Sequence, residues 1–102
     1  MIEKFNHVRS KAITQAASGE ACTICGIEDG TTVFAHLNEP WAGKGMGIKA
    51  DDIAGMFLCE RHHGIYDGRI ISSSPIHDWE ITRAFYRTIR RLWDRGIIGE
   101  LK

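Results

Sequence analysis

The stretch LCERHHGIYDGR, residues 58–69, decides the interpretation of this chain. It holds Cys59 and His62 with two residues between them, and a second histidine, His63, directly follows the first. Adjacent side chains point about 100° apart on a helix, so neighbouring histidines rarely serve one purpose. The stretch therefore predicts two sites, one for each histidine.

A second pair of metal ligands lies earlier in the chain, in the stretch CTIC. Cys22 and Cys25, like Cys59 and His62, have two residues between them, and two such pairs supply the four ligands of tetrahedral zinc. The 33 residues between the pairs exceed the spacing of a simple zinc ribbon, so further structure is expected there. Three alternatives to a zinc site with His62 as fourth ligand stay open: a zinc site with His63 in that place, unliganded buried cysteines, or a redox CxxC site.

Composition bounds the fold. A chain of 102 residues, 43% hydrophobic, is expected to form one domain over residues 1–102 with a modest core. Its three cysteines argue against a closed disulfide framework. No apolar run approaches the roughly 20 residues of a membrane span, and the N-terminus lacks the core of a signal peptide. We therefore expect no membrane partner and a cytoplasmic location.

Local patterns predict the elements in chain order. SKAITQAASG is typical of a short helix capped by Ser10, TTVFAHL is typical of a strand, and the apolar run GMFLC predicts a second strand. The loop NEPWAGKGMGIKADD separates them, because its proline and glycines interrupt regular structure. ERHHGIYDG predicts a helical turn. The last helix is expected at about 75–95, with Ser74 as cap, Pro75 as first residue and Gly96 after its end.

The last helix combines an apolar face with a basic stripe. Ile81, Phe85, Ile89 and Leu92 recur at spacings of four, four and three residues, which places them on one side of a helix. Arginines lie beside this face, and arginine forks suit phosphate oxygens, so DNA is expected there as an anionic partner, although such a stripe taken alone would more often be a solvated face. The arginines are Arg83, Arg87, Arg90, Arg91 and Arg95.

The distribution of charge agrees with an anionic partner. The formal net charge is zero, but residues 61–102 contain eight Lys or Arg and five Asp or Glu, a net charge of +3. Residues 1–60 contain five Lys or Arg and eight Asp or Glu, a net charge of −3. The asymmetry weakly indicates that the second part of the chain meets the anion.

The segment between the zinc pairs contains a second candidate for chemistry, His36 in FAHLN. Histidine titrates near pH 6.5 and can deprotonate water near neutral pH, as phosphodiester hydrolysis requires. A divalent ion would stabilise charge on the phosphate, and His63 with a carboxylate, such as Asp52 or Asp67, could hold it. Taken singly, His36 would more often be a structural histidine, Asp52 a loop cap and Asp67 a turn residue.

This arrangement resembles the ββα-metal, or HNH, nuclease core built on a treble-clef zinc fold. The order of motifs resembles the YbcO-like nuclease family of lambdoid prophages. The matching pieces are CTICG, TTVFAHLN, GKGMGIKADD, CERHHGIYDGR and RAFYRTIRRLWDRGII, over roughly residues 20–98. The resemblance implies a small α+β fold with a core at about 20–70, an N-terminal helix and a long C-terminal helix. It also implies a phage or prophage DNA endonuclease, in recombination or DNA processing.

Carried over by position, the resemblance implies a role for each residue. His36 is the expected general base, Asp52 the acidic residue of a Lys-x-x-Asp motif, and His63 the ligand of a catalytic divalent ion. Asp67 and Arg69 match an Asp-Gly-Arg motif, with Asp67 expected at the catalytic site and Arg69 at the DNA.

The sequence departs from the family pattern at two metal positions. Ala35 stands where many HNH enzymes have a metal-binding aspartate, and Ala54 stands where an asparagine is usual. The expected cofactors are a structural Zn²⁺ and Mg²⁺ or another divalent ion, with no organic cofactor. The alternative function is a non-catalytic zinc module that binds DNA or a recombination protein, which would not need His36 or His63.

Overall fold

The computed structural model describes residues 7–45 and 47–99. Residues 1–6, which open the stretch searched for a signal peptide, lie outside the described residues. Within the described residues, the chain forms a small α+β fold, with one helix before a two-stranded antiparallel sheet and two helices after it, as the sequence predicts. The elements are α1 Lys11–Gln15, β1 Val33–His36, a 3₁₀ turn Pro40–Ala42, β2 Gly55–Leu58, α2 Glu60–Tyr66 and α3 Asp78–Asp94.

The first helix begins where the sequence predicts. The Ser10 hydroxyl accepts a hydrogen bond from the backbone N–H of Ile13, which satisfies one of the free donors at the start of α1. Ile13 is buried against the sheet side of the molecule. Local capping chemistry and one apolar anchor therefore position α1.

The two strands form a wide hairpin in which His36 lies opposite Gly55. A Cβ atom at Gly55 would lie 2.7 Å from the carbonyl oxygen of Ala35, so the position has no room for a larger residue. Ala35 and its partner Met56 belong to one apolar cluster. Because side chains alternate along a strand, His36 points to the opposite face from Ala35.

The outer edge of β2 is covered at Phe57 by the two segments that flank the sheet. The Phe57 N–H donates to the Thr88 hydroxyl of α3 at 3.0 Å. The Phe57 carbonyl accepts from both the backbone N–H and the hydroxyl of Thr23, each at 2.8 Å. Buried backbone groups of a sheet edge are thereby satisfied. These bonds tie the CTIC segment and α3 to the same residue.

The last helix begins later than predicted. We expected Ser74 as the cap and Pro75 as the first residue, but α3 begins at Asp78 with His77 as its N-cap. The Glu80 carboxylate accepts the backbone N–H of His77 at 3.2 Å, which stabilises the start at that point. Ser74 instead donates its N–H to the Ser72 hydroxyl, in a turn of its own. The predicted end is confirmed, because α3 stops at Asp94 and Gly96 has a φ of 71°.

The buried side of α3 is shifted from the predicted apolar face. Ala84, Thr88 and Leu92 are the fully buried positions, whereas Ile81, Phe85 and Ile89 are half-buried. The small side chains of Ala84 and Thr88 allow α3 to approach β2 closely. The larger apolar residues therefore lie beside the contact with the sheet. Within the described residues, no helix combines the length and apolar character needed to cross a membrane.

Candidate metal centre and histidine cleft

The two ligand pairs predicted from sequence meet at one point. The Sγ atoms of Cys25 and Cys59 are 3.9 Å apart, and His62 Nδ1 lies 3.4 Å from Cys59 Sγ and 3.8 Å from Cys22 Sγ. All four ligand atoms lie within 4.8 Å of one another. Tetrahedral zinc requires separations of about 3.8 Å between sulfurs and about 3.6 Å between sulfur and nitrogen. The geometry fits a zinc ion, as the spacing predicted.

Local backbone structure explains how the ligands converge. Cys22 accepts the N–H of Gly26 on its carbonyl and donates its own N–H to Ile27, which closes a tight turn around the first pair. Gly26 has a φ of 77°, in the left-handed region that favours glycine. Cys59 is the N-cap of α2, and His62 lies in the first turn of that helix. The turn therefore presents Cys22 and Cys25, and the start of α2 presents Cys59 and His62.

The protonation of the ligands agrees with metal binding for His62. Burial and the charge of Arg61 lower the pKa of His62, so its imidazole is neutral and has a free lone pair. Burial and the nearby thiols of Cys22 and Cys25 raise the pKa of Cys59 to about 11. A divalent cation at the centre would lower the pKa of Cys59 instead, because zinc binds the thiolate and not the thiol.

The two adjacent histidines face different surroundings. His62 points into the cysteine group, whereas the His63 side chain is 34% exposed and its Nε2 lies 3.8 Å from Asp67 Oδ2. These residues are four apart on α2, so they share one face of the helix. The structure thus places His62, and not His63, with the three cysteines.

His36 and Asp52 form the second site. His36 ends β1, and its Nε2 lies 2.8 Å from Oδ1 of Asp52, which is only 4% exposed. The other carboxylate oxygen accepts the N–H of Ser10 at 2.7 Å. Burial alone would raise the pKa of Asp52, but these bonds and the charges of His36 and Arg9 hold it below its ordinary value. An ionised Asp52 only accepts, so His36 donates to it from Nε2.

This pair opens into a cleft of ≈ 490 Å³ that is bordered by basic side chains. Arg9 donates to the carbonyls of Ala50 at 2.6 Å and Lys49 at 2.9 Å, and it holds the loop against the start of α1. Lys11 and Lys49 are exposed at its rim. The cationic cleft is lined by Arg9, Ser10, Lys11, Thr14, His36, Lys49 and Asp52.

Sequence reasoning did not assign a function to these basic residues. Lys49 belongs to the Lys-x-x-Asp motif that pointed to Asp52, and the spacing of that motif was the available signal. Arg9 and Lys11 flank the Ser10 cap, and only the folded chain brings them next to His36.

The Asp-Gly-Arg motif forms a closed turn at the end of α2. Arg69 donates from its backbone N–H at 3.1 Å and from Nε at 2.8 Å to the Asp67 carboxylate. The hydrogen bond from the Arg69 side chain lowers the pKa of Asp67. Gly68 between them has a φ of 85°. Asp67 is thus ionised and beside His63, but one of its oxygens already accepts from a guanidinium.

The two candidate catalytic pairs are not linked by direct contacts. In the part of the chain that the structure describes, no hydrogen bond or ion pair joins His36 or Asp52 to His63 or Asp67. Over the same residues, the cysteine–histidine group is the one cluster of three or more metal-ligating side chains. A catalytic ion at His63 would thus have at most two ligands, His63 and Asp67, from that face.

The arginines of α3 have partners within the fold. Three of them, named here the clamp arginines, donate to backbone carbonyls of residues 16–23, the segment that contains the first zinc ligand. Arg90 pairs with Asp94 at 3.0 Å, and the Arg83 guanidinium lies 4.9 Å from the centre of the Trp79 ring. The clamp pairs are Arg87 with Thr23 at 3.1 Å, Arg91 with Ala21 at 2.6 Å and Arg95 with Ala16 at 2.8 Å.

Comparison of the chain with protein-family models, with curated proteins and with solved structures gives no match. The resemblance to YbcO-like nucleases stays a prediction from the motifs. What the structure contributes is the geometry of the cysteine–histidine group and of the His36–Asp52 pair.

Proposed function

We propose that this protein is a metal-dependent DNA endonuclease of the HNH type, of phage or prophage origin, acting in recombination or DNA processing. The observation that carries the proposal is the 2.8 Å contact between His36 Nε2 and a buried Asp52 carboxylate, beside a cleft with three basic residues. A carboxylate that fixes the tautomer of a histidine is the arrangement of a general base.

The proposed chemistry begins with the substrate in the cationic cleft. A backbone phosphate of DNA lies near Lys11 and Lys49, whose ammonium groups offset its charge. His36 Nδ1 accepts the proton of the attacking water while the water oxygen bonds to phosphorus and the bond from phosphorus to the leaving oxygen breaks. The leaving oxygen takes a proton from solvent, and Asp52 stabilises the imidazolium that forms. Arg9 is occupied with backbone carbonyls, so its role is to hold the rim in place.

His63 and Asp67 are the proposed ligands of the catalytic divalent ion. His63 Nε2 lies 3.8 Å from Asp67 Oδ2, the oxygen that also accepts from Arg69. Mg²⁺ in phosphoryl sites commonly has few protein ligands, completed by phosphate oxygens and water. When bound, such an ion supplies charge stabilisation to the phosphate and the leaving oxygen. Arg69 holds the Asp67 carboxylate in position.

The structural part of the proposal is a treble-clef zinc core. Its order is a turn with Cys22 and Cys25, then the hairpin, then a helix whose start carries Cys59 and His62. Zinc would join the turn to the helix across the hairpin, and this order of elements supports the HNH assignment.

The test is nicking of supercoiled plasmid with magnesium, with manganese and without added metal. The His36→Ala variant is expected to cleave about 10²–10⁴-fold more slowly, because a general base contributes that much. Its zinc content should equal that of the wild type. His77→Ala, at the exposed start of α3, is the control and should cleave normally. Equal rates for His36→Ala and wild type would show that His36 is not the base.

A second candidate function is a non-catalytic zinc module that binds DNA or a recombination protein. One observation favours it: over the described residues, only the cysteine–histidine group gathers three or more potential metal ligands. The same plasmid assay separates the two functions. If DNA binds but remains uncut with every divalent ion, the binding module is the better description.

A further inference from the structure

Two cavities form an open groove between α3 and the 3₁₀ turn. Their volumes are ≈ 500 and ≈ 340 Å³, and Trp41 and Phe85 line both of them. The groove exists because Ala84 and Thr88 face the sheet, which leaves the larger apolar side chains of α3 beside that contact. The floor of this Trp41 groove consists of Trp41, Ile53, Ile81, Phe85, Ile89 and Ile98.

Trp41 is held in place by the turn that carries it. Pro40 is the first residue of that turn, and Gly43 ends it with a φ of 92°. Ala42 is buried beneath, while the Trp41 side is open and the residue is 69% exposed. An indole on a rigid turn loses little conformational freedom on binding, and burial of its apolar surface is favourable.

The charged side chains that line the groove are all acidic. Glu39 and Asp78 line the first cavity, and Asp51, whose Oδ1 lies 3.5 Å from His7 Nδ1, lines the second. Among the described residues that line the two cavities, none is Lys, Arg or His. Carboxylates at the rim of an apolar groove repel a phosphate backbone and attract cationic side chains. The groove therefore does not suit DNA, in contrast to the cationic cleft.

We propose that the Trp41 groove binds an amphipathic helical segment of a partner protein, with apolar anchors in the groove and lysines or arginines at its rim. Ile81 and Ile89 are eight residues apart on α3, a rise of about 12 Å. Anchors at i, i+4 and i+7 of a partner helix span about 10 Å, so they match the two cavities. This proposal does not depend on the nuclease activity.

The experiment measures the affinity of two fluorescein-labelled peptides by anisotropy. Both carry leucines and a phenylalanine at i, i+4 and i+7, and one has lysines where the other has glutamates. The lysine peptide should bind at least tenfold more tightly, and this preference should decrease with salt. Trp41→Ala should weaken its binding at least tenfold, as truncation of a central aromatic anchor does. Trp79→Ala removes a tryptophan outside the groove and should change affinity less than twofold.

A charge variant completes the test. Glu39→Lys should weaken the lysine peptide and strengthen the glutamate peptide, whereas Glu28→Lys, at an exposed site outside the groove, should change neither. Equal binding of both peptides, or equal loss in Trp41→Ala and Trp79→Ala, would overturn the proposal. So would sedimentation that shows a dimer lost only in Trp41→Ala, because the occupant would then be a second copy.

Discussion

The double variant Arg87→Ala/Arg91→Ala tests whether α3 serves the fold or the DNA. Both side chains reach the turn of the first zinc pair, where Arg87 donates to Thr23 and Arg91 donates to Ala21. These carbonyls lie on either side of Cys22. If the guanidiniums hold this turn against α3, their loss should destabilise the protein and loosen the metal centre.

The magnitude follows from the hydrogen bonds. A hydrogen bond from a charged group contributes about 1.5–3 kcal/mol when it is shielded from water. The Arg91 side chain is 32% exposed and Arg87 is exposed, so the lower end of that range applies. The double variant should therefore lose about 2–3 kcal/mol. In a domain of this size, that corresponds to a melting temperature lower by roughly 10–20 °C.

The assay compares three proteins by thermal unfolding, by chelator-driven zinc release and by DNA affinity at several salt concentrations. Arg90→Ala is the control, because Arg90 interacts on the surface with Asp94 and Tyr86 of its own helix, and its loss should lower the melting temperature by a few degrees at most. The double variant should have a lower melting temperature than the wild type and should release zinc faster to the chelator. The salt dependence of its DNA binding should be unchanged.

The opposite result would restore the function expected from sequence. If the double variant has the melting temperature of the wild type but binds unrelated DNA sequences more weakly, the two arginines contact phosphates. Its salt slope should then be shallower by about two units, since each contact contributes about 0.9. That outcome would refute the conclusion that Arg87 and Arg91 hold the turn of the first zinc pair against α3.

Three further predictions concern the two sites. Removal of zinc with a chelator should unfold the protein, because structural zinc contributes about 10–16 kcal/mol in comparable sites, more than most small domains have in reserve; a chelated protein with unchanged circular dichroism would contradict this. The lowered pKa of Asp52 means that its carboxylate stabilises the fold above its unfolded pKa, and that this contribution is lost as pH falls through the lower folded pKa. Unfolding experiments should thus show wild type more stable than Asp52→Asn at pH 6 and the difference shrinking below about pH 4, and a constant difference would contradict this. Lys11→Ala/Lys49→Ala should weaken DNA binding and make its salt slope shallower by about one to two units, and an unchanged slope would place the DNA elsewhere.

Features with local causes were predictable from the sequence. The cap at Ser10 acts over three residues, and each zinc pair has its spacing in one short stretch. The strands were predicted because their apolar and β-branched residues are contiguous. In the case of zinc, one ion needs four ligands, and that requirement links stretches that are far apart in the chain.

Features with long-range causes were not predictable in the same way. The Asp52 N–H donates to the Val8 carbonyl and the Asp52 carboxylate accepts from Ser10, so a loop and the start of α1 are joined. Backbone groups are alike in every residue, so no pattern in the sequence predicts a hydrogen bond between two distant segments. The arginines of α3 illustrate a related limit. Their charge indicated an anionic partner, whereas several of them donate to carbonyl oxygens inside the protein.

The adjacency of His62 and His63 follows from the position of Cys59 at the start of α2. Residues three apart on a helix lie on the same side, so His62 must turn inward to meet the Cys59 sulfur at 3.4 Å. His63 then points about 100° away, on the side that Asp67 shares. The His36–Asp52 pair depends instead on β1, the loop and α1. The position of His63 therefore depends directly on the metal centre, since its helix begins at a zinc ligand, whereas the His36–Asp52 pair is held by contacts away from that centre.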